Sequence, residues 1–231
     1  MKPSKKLWNN VWSHADIVYP HDIVLVEVGK LEEVRKILEI GAGTGRDLEE
    51  LSKRGYNVTF SDFSSVAIEK FNKRNPQIET IECDARKLPF QGNSFDLVYC
   101  LGLLEHFDKK DRAKIIREMF RISNKYILID VPQRYSFTYL IKKFLMLIGK
   151  WKYGEETEFS YYQLLKEIKQ IMPDLEVISH YGRELLPLPR NFKNKFYQKF
   201  PLSVKGFYLK FSKLLAYGIA GSFGIILRKE K

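Results

Sequence analysis

The chain has 231 residues, 45% hydrophobic and 29% charged, which suits one globular domain with appended segments. Two cysteines, Cys83 and Cys100, are too few for a disulfide framework and have no metal-ligand spacing, so a reduced, cytoplasmic, metal-free setting is expected. The net charge of +11 is uneven: residues 187–231 hold ten Lys/Arg against one acid and residues 134–153 hold five against none, so the remainder is net acidic. That excess concerns partners rather than fold.

The N-terminus, MKPSKKLWNN, lacks the apolar stretch of a signal peptide. Residues 1–34, with Trp8, Trp12 and Tyr19, read as a helical, aromatic cap. From 35 to 132 the pattern alternates. Apolar, β-branched runs fall at 36–40, 57–60, 78–82, 95–100 and 125–130, with helix-period segments at 47–53, 65–73 and 111–122. Strands alternating with helices predict a parallel sheet covered on both faces, and right-handed crossovers make it doubly wound.

Residues 139–148, YLIKKFLMLI, are an apolar helix candidate. Residues 160–171 are a better one: Ser160 and Gln163 have capping-box spacing, Phe159 and Leu164 can form the staple, and Pro173 follows. Residues 175–180 and 222–228 read as two further strands, in the segments 174–186 and 222–231. The remaining segments, 133–173 and 187–221, read as basic, aromatic lid pieces on a single domain spanning 1–231. The apolar run 214–227 is glycine-rich and shorter than the roughly 18–20 residues that cross a bilayer, so it reads as a buried strand with its lead-in.

The stretch KILEIGAGTGRDLEEL joins the first strand to the first core helix through Gly41, Gly43 and Gly45. A strand end, a glycine turn and a helix N-terminus make a ligand site at the edge of an open sheet. Glycine allows positive φ and close backbone approach there. A dinucleotide fingerprint needs a third glycine where this chain has Arg46. The acid before the turn, Glu39, would repel pyrophosphate and suits a cationic ligand. S-adenosylmethionine, with a sulfonium, an ammonium and no phosphate, meets that requirement better than a nicotinamide cofactor. Asp62 ends the second strand, where a carboxylate can accept from both ribose hydroxyls; nicotinamide enzymes use the same position. Phe63 beside it can pack on adenine. Asp84 ends the third strand and can accept from the adenine amino group, and the Ala85 N–H can reach a ring nitrogen. The plainer reading of each acid is a helix cap or a solvated strand end.

Together these residues resemble a class I S-adenosylmethionine-dependent methyltransferase of the quinone-biosynthesis C-methyltransferase (methyltransferase type 11) kind. The resemblance runs over about 36–132 through KILEIGAGTG, SDFS, CDARKLPF, NSFDLVYCLGLLEHF and IDVP. It implies a Rossmann-like α/β fold of seven strands, mostly parallel with the last antiparallel, and cofactor contacts on Glu39, Gly41, Ala42, Gly43, Gly45, Asp62, Phe63, Asp84 and Ala85. The segment after the fourth strand, with Leu101 and Gly102, would line the cofactor's methionine end. Methyltransferases of exocyclic nucleobase amines resemble one another in a proline-aromatic motif there, which YCLGLLEH lacks. The basic insertion before the last strand and the helical segment after Val131 depart from the family pattern.

Methyl transfer is an in-line displacement at an activated carbon, so the protein chiefly orients donor and acceptor. A base is needed only if the acceptor loses a proton. His106 is the expected base, since it follows the fourth strand where the methyl group should point. Glu105 reads equally as a loop-orienting or a chemical group. His14 and His21 are lesser candidates, His180 is structural, and Glu155, Glu156 and Glu158 read as a solvated acidic face. The interleaved lysines and aromatics of residues 191–213 fit a substrate lid, a membrane-surface patch or, less well, an RNA surface. The expectation is methyl transfer from S-adenosylmethionine, leaving S-adenosylhomocysteine, to a small-molecule or lipophilic acceptor, in the cytoplasm and in part at a membrane. The alternatives are a nicotinamide-dependent oxidoreductase, or a basic RNA- or membrane-binding module that keeps the fold without turnover.

Overall fold

A computed structural model describes residues 4–15, 20–151, 156–183 and 220–229. The expected lid segment 187–221 lies outside these, save its last two residues, as do Tyr19 and Glu155.

The chain forms α1 (Lys5–Ser13), α2 (Asp22–Val28), β1 (Lys36–Ile40), α3 (Arg46–Lys53), β2 (Asn57–Asp62), α4 (Ser65–Arg74) and β3 (Glu79–Glu82). It continues with β4 (Phe95–Leu101), a 3-10 turn (Leu104–His106), α5 (Lys109–Ile122), β5 (Ser123–Pro132), α6 (Phe137–Leu147), α7 (Tyr161–Ile171), β6 (Glu176–Arg183) and β7 (Ser222–Arg228). The seven strands lie in the order β3-β2-β1-β4-β5-β7-β6. β1 to β5 pair in parallel, while β7 runs antiparallel to both β5 and β6. This is the Rossmann-like α/β sheet with its last strand reversed.

Side chains alternate across each strand, so a buried sheet feeds two cores. Leu38, Val98 and Ile127 meet Ile115 and Met119 of α5 and Leu164 and Ile168 of α7. Ile37, Leu97 and Leu128 meet Val24 of α2, Leu51 of α3 and Phe71 of α4 on the other face. The strand order reverses between β1 and its two neighbours, β2 and β4. An open α/β sheet binds ligands at that switch point, beyond the strands' carboxyl ends.

Local chemistry ends the helices where the residues dictate. Ser64, Asp108 and Ser136 each accept a backbone N–H at the starts of α4, α5 and α6. Before α7 the capping box forms: the Gln163 N–H donates to Ser160 Oγ (3.4 Å) and the Ser160 N–H to Gln163 Oε1 (3.1 Å). The staple residues Phe159 and Leu164 are buried in one cluster.

Candidate active site at the strand tips

The β1–α3 turn is built for close approach. Gly41, Gly43 and Gly45 all have positive φ, at 65°, 57° and 66°. A Cβ on Gly43 would stand 2.5 Å from the Trp12 ring, and one on Gly45 would stand 2.3 Å from Phe71. These two glycines thus let the turn pack beneath α1 and onto α4. The Gly43 N–H donates to Asp62 Oδ2 at 2.8 Å, tying the turn to the tip of β2.

Above the switch point lies a cavity of about 320 Å³. Its wall brings together Glu39, Gly41, Ala42, Asp62, Phe63, Asp84, Ala85, Leu101, Gly102 and His106. Gly43 and Gly45 are not among its lining residues; their roles in the structure are the packing contacts just described. All three tryptophans of the chain, Trp8, Trp12 and Trp151, line it. Trp8 stacks on Trp12 at 6.0 Å and meets the His106 ring edge-on at 4.8 Å.

The acids are deeply set. Glu39 is 4% exposed and accepts from Tyr99 Oη at 2.9 Å. Burial, then the nearby Asp47 carboxylate, pushes its carboxyl well above the ordinary range. Asp62 accepts the Gly43 and Ser64 N–H groups, yet burial outweighs them and lifts it to about 6. Asp84 is held by the Arg86 guanidinium, which keeps it below the usual carboxylate value despite partial burial.

A charged clasp ties the cap to the sheet. The His21 N–H and Nδ1 both donate to Asp47, at 2.6 and 2.8 Å. Its Nε2 accepts from Arg183 Nη1 at 2.8 Å and from Arg46. An Nε2 that accepts from guanidinium groups belongs to a neutral imidazole, and burial lowers His21 accordingly. Burial alone would raise Asp47, but the His21 bonds and Arg46 carry it down to about 2. Arg183 also grips Asp130 through Nε (2.9 Å) and Nη2 (2.7 Å).

Glu156, expected on a solvated face, is instead buried at its side chain and pairs with Lys142 at 2.5 Å. Burial raises its carboxyl. Sequence did not single out Arg46, Asp47, Trp151 or Arg183 as lining residues. Arg46 and Asp47 directly follow the glycine turn, so their place was readable; Arg183 and Trp151 reach the cavity only through the fold.

Comparison with known proteins agrees with this geometry. Residues 37–125 match the methyltransferase domain family. These residues carry a methyltransferase domain, similar to those of class I S-adenosylmethionine-dependent methyltransferases. The chain is 31% identical over 121 residues to the demethylmenaquinone methyltransferase of Renibacterium salmoninarum, covering 52% of this chain and 50% of that one. It is 29% identical over 140 residues to the ubiquinone/menaquinone biosynthesis C-methyltransferase UbiE of Desulfotalea psychrophila, covering 54% of this chain and 56% of that one. The chain thus spans about half the length of these relatives. An S-adenosylmethionine-dependent methyltransferase of Thermotoga maritima shares the fold, with a TM-score of 0.65 at 18% identity over 97% of this chain and 94% of the other. Among its described residues, no group of His, Cys, Asp or Glu is arranged to hold a metal ion, and no helix is long and apolar enough to cross a membrane.

Proposed function

We propose that the chain transfers the methyl group of S-adenosylmethionine to a small-molecule or lipophilic acceptor. One observation carries this reading: buried Glu39 and Asp62 and half-buried Asp84 stand at adjacent strand tips around one glycine turn and one cavity. Glu39 and Asp62, held above their ordinary range, release protons when a cation arrives, so the site favours a positively charged nucleoside and disfavours pyrophosphate. Asp62 would hold the ribose hydroxyls, Phe63 and Ala85 the adenine with Asp84, and Glu39 the methionine ammonium. Gly41, Ala42, Gly43 and Gly45 would bring the turn's backbone close, with Leu101 and Gly102 along the methionine chain. The cofactor supplies a methyl carbon already activated by its sulfonium. The chain's own work is then to align the acceptor and shut out water, with residues 1–34 as the cap and His106 on the acceptor-facing wall as a proton-accepting group.

The aromatic wall and the quinone-modifying relatives support a lipophilic acceptor. α6 extends that reading to a membrane surface: Leu140, Phe144 and Leu147 are exposed, with Lys143 and Lys150 exposed beside them.

Calorimetry with S-adenosylhomocysteine tests the function. Binding in the micromolar range is expected, with a loss of at least about tenfold in Asp62→Ala. Binding of NADH in its place would refute the proposal.

A further inference from the structure

The cavity crosses the sheet. Asp62 and Asp84 sit beyond β2 and β3, whereas Arg183 and Ser222 lie on β6 and β7, at the opposite edge of the strand order. If the nucleoside occupies the first end, the second is left for the acceptor. Glu105, after β4, lines the cavity toward that side, where the Thr157 N–H donates to its backbone O and Glu156 and Trp151 also line the wall.

The charges near that end are matched, with one exception. Asp130 is held by Arg183 at 2.7 Å, and Glu156 by Lys142 at 2.5 Å. Glu105 is 4% exposed, and its Oε2 has no hydrogen-bond partner. A buried, unsatisfied carboxyl is costly and persists where a ligand completes it. A Cβ on the neighbouring Gly102 would come within 3.3 Å of Glu105 Oε1, so that glycine leaves the carboxyl room to face the cavity.

We infer that Glu105, in place of the neighbouring His106, is the acceptor-binding carboxyl of this site, receiving the ammonium form of a primary or secondary amine and taking its proton. The inference rests on the methyltransferase reading above. Three features select an amine. Glu156 and Asp130 are each matched by a cation, Lys142 and Arg183, which leaves Glu105 as the carboxyl here whose charge a positive guest would match. Cys100, on β4, also feels Glu105 and is held as a neutral thiol by burial; His106 directly follows Glu105 in the chain. The Trp151 ring lines the same cavity and carries the Lys142 ammonium 5.6 Å from its centroid, the contact an indole makes with a cation. Finally, burial and then Glu156 raise Glu105 to about 8. A carboxyl there is within reach of an alkylammonium near about 10, whereas an ordinary carboxylate near about 4 is not. In the step, an ammonium N–H bond breaks and a Glu105 O–H bond forms. The nitrogen keeps the bonding pair and is free to meet the methyl donor, and the positive charge on nitrogen and the negative charge on Glu105 vanish together.

The three tryptophans make fluorescence a direct probe of the cavity. The purified full chain, saturated with S-adenosylhomocysteine, is titrated with phenethylamine and with phenethyl alcohol, its uncharged counterpart. The amine should bind at least about tenfold tighter, with affinity rising as pH passes through about 8. Glu105→Gln should erase that preference, Glu105→Asp should keep part of it, and calorimetric binding of S-adenosylhomocysteine should stay within about twofold of wild type in both. Equal binding of amine and alcohol, or wild-type amine binding by Glu105→Gln, would overturn the inference. So would loss of the preference in His106→Gln with none in Glu105→Gln, or loss of S-adenosylhomocysteine binding by a folded Glu105→Gln, which would assign the carboxyl to the cofactor. Failure of the wild type to bind S-adenosylhomocysteine would instead overturn the methyltransferase reading, and this inference with it.

Discussion

Glu105 and Asp62 hold their carboxyls out of water at 4% and 5% exposure, and both titrate above their ordinary values, at about 8 and about 6. The folded chain therefore keeps protons that the unfolded chain releases. Their stabilisation is complete below the unfolded values near about 4 and is lost as pH climbs toward 8. Removing the Glu105 charge removes its share of that loss. In the ligand-free protein, Glu105→Gln should match wild type near pH 5 and exceed it at pH 8 by on the order of a few kcal/mol, read by denaturant melts. Asp47 behaves in the opposite sense. Held at about 2, it contributes stability that is present above its unfolded value and disappears as pH falls through the folded one. Gly45 shows a different constraint: a φ of 66° and a phenyl ring 2.3 Å from where a Cβ would sit. Gly45→Ala should cost about 2–4 kcal/mol in a urea melt, from left-handed strain and overpacking against Phe71.

At the scale of elements, agreement with local pattern is close where one short motif decides. β1 spans Lys36–Ile40 and β7 spans Ser222–Arg228, as their apolar runs predict. α7 starts after Ser160 because a side-chain oxygen there satisfies an orphan N–H. Ser160→Ala should lower stability by about 1 kcal/mol and leave S-adenosylhomocysteine binding intact, since α7 packs on the core face away from the clasp. α6 is less transparent. Its apolar run is legible, but Lys142 and Lys143 look alike in sequence. One is buried against Glu156 and the other is exposed, a difference set by what packs beside the helix.

At the scale of the whole molecule, the basic excess and the exposed face of α6 call for a surface test. Flotation with vesicles containing phosphatidylglycerol should recover the protein at low salt and much less at high salt, and Leu147→Glu should reduce recovery further. Wild-type flotation unchanged by that substitution would remove α6 from the contact. The amino-acid sequence by itself determined the order of elements, the parallel core, the glycine turn and the acids at the strand tips. Each of these depends on residues within a few positions of one another, through strand and helix periodicity, φ preference and capping. Tertiary structure alone decided the clasp of His21 with Arg183, the pairing of Glu156 and the isolation of Glu105. Those outcomes depend on which strands become neighbours and which carboxyls find a cation, and burial turns that geometry into charge state.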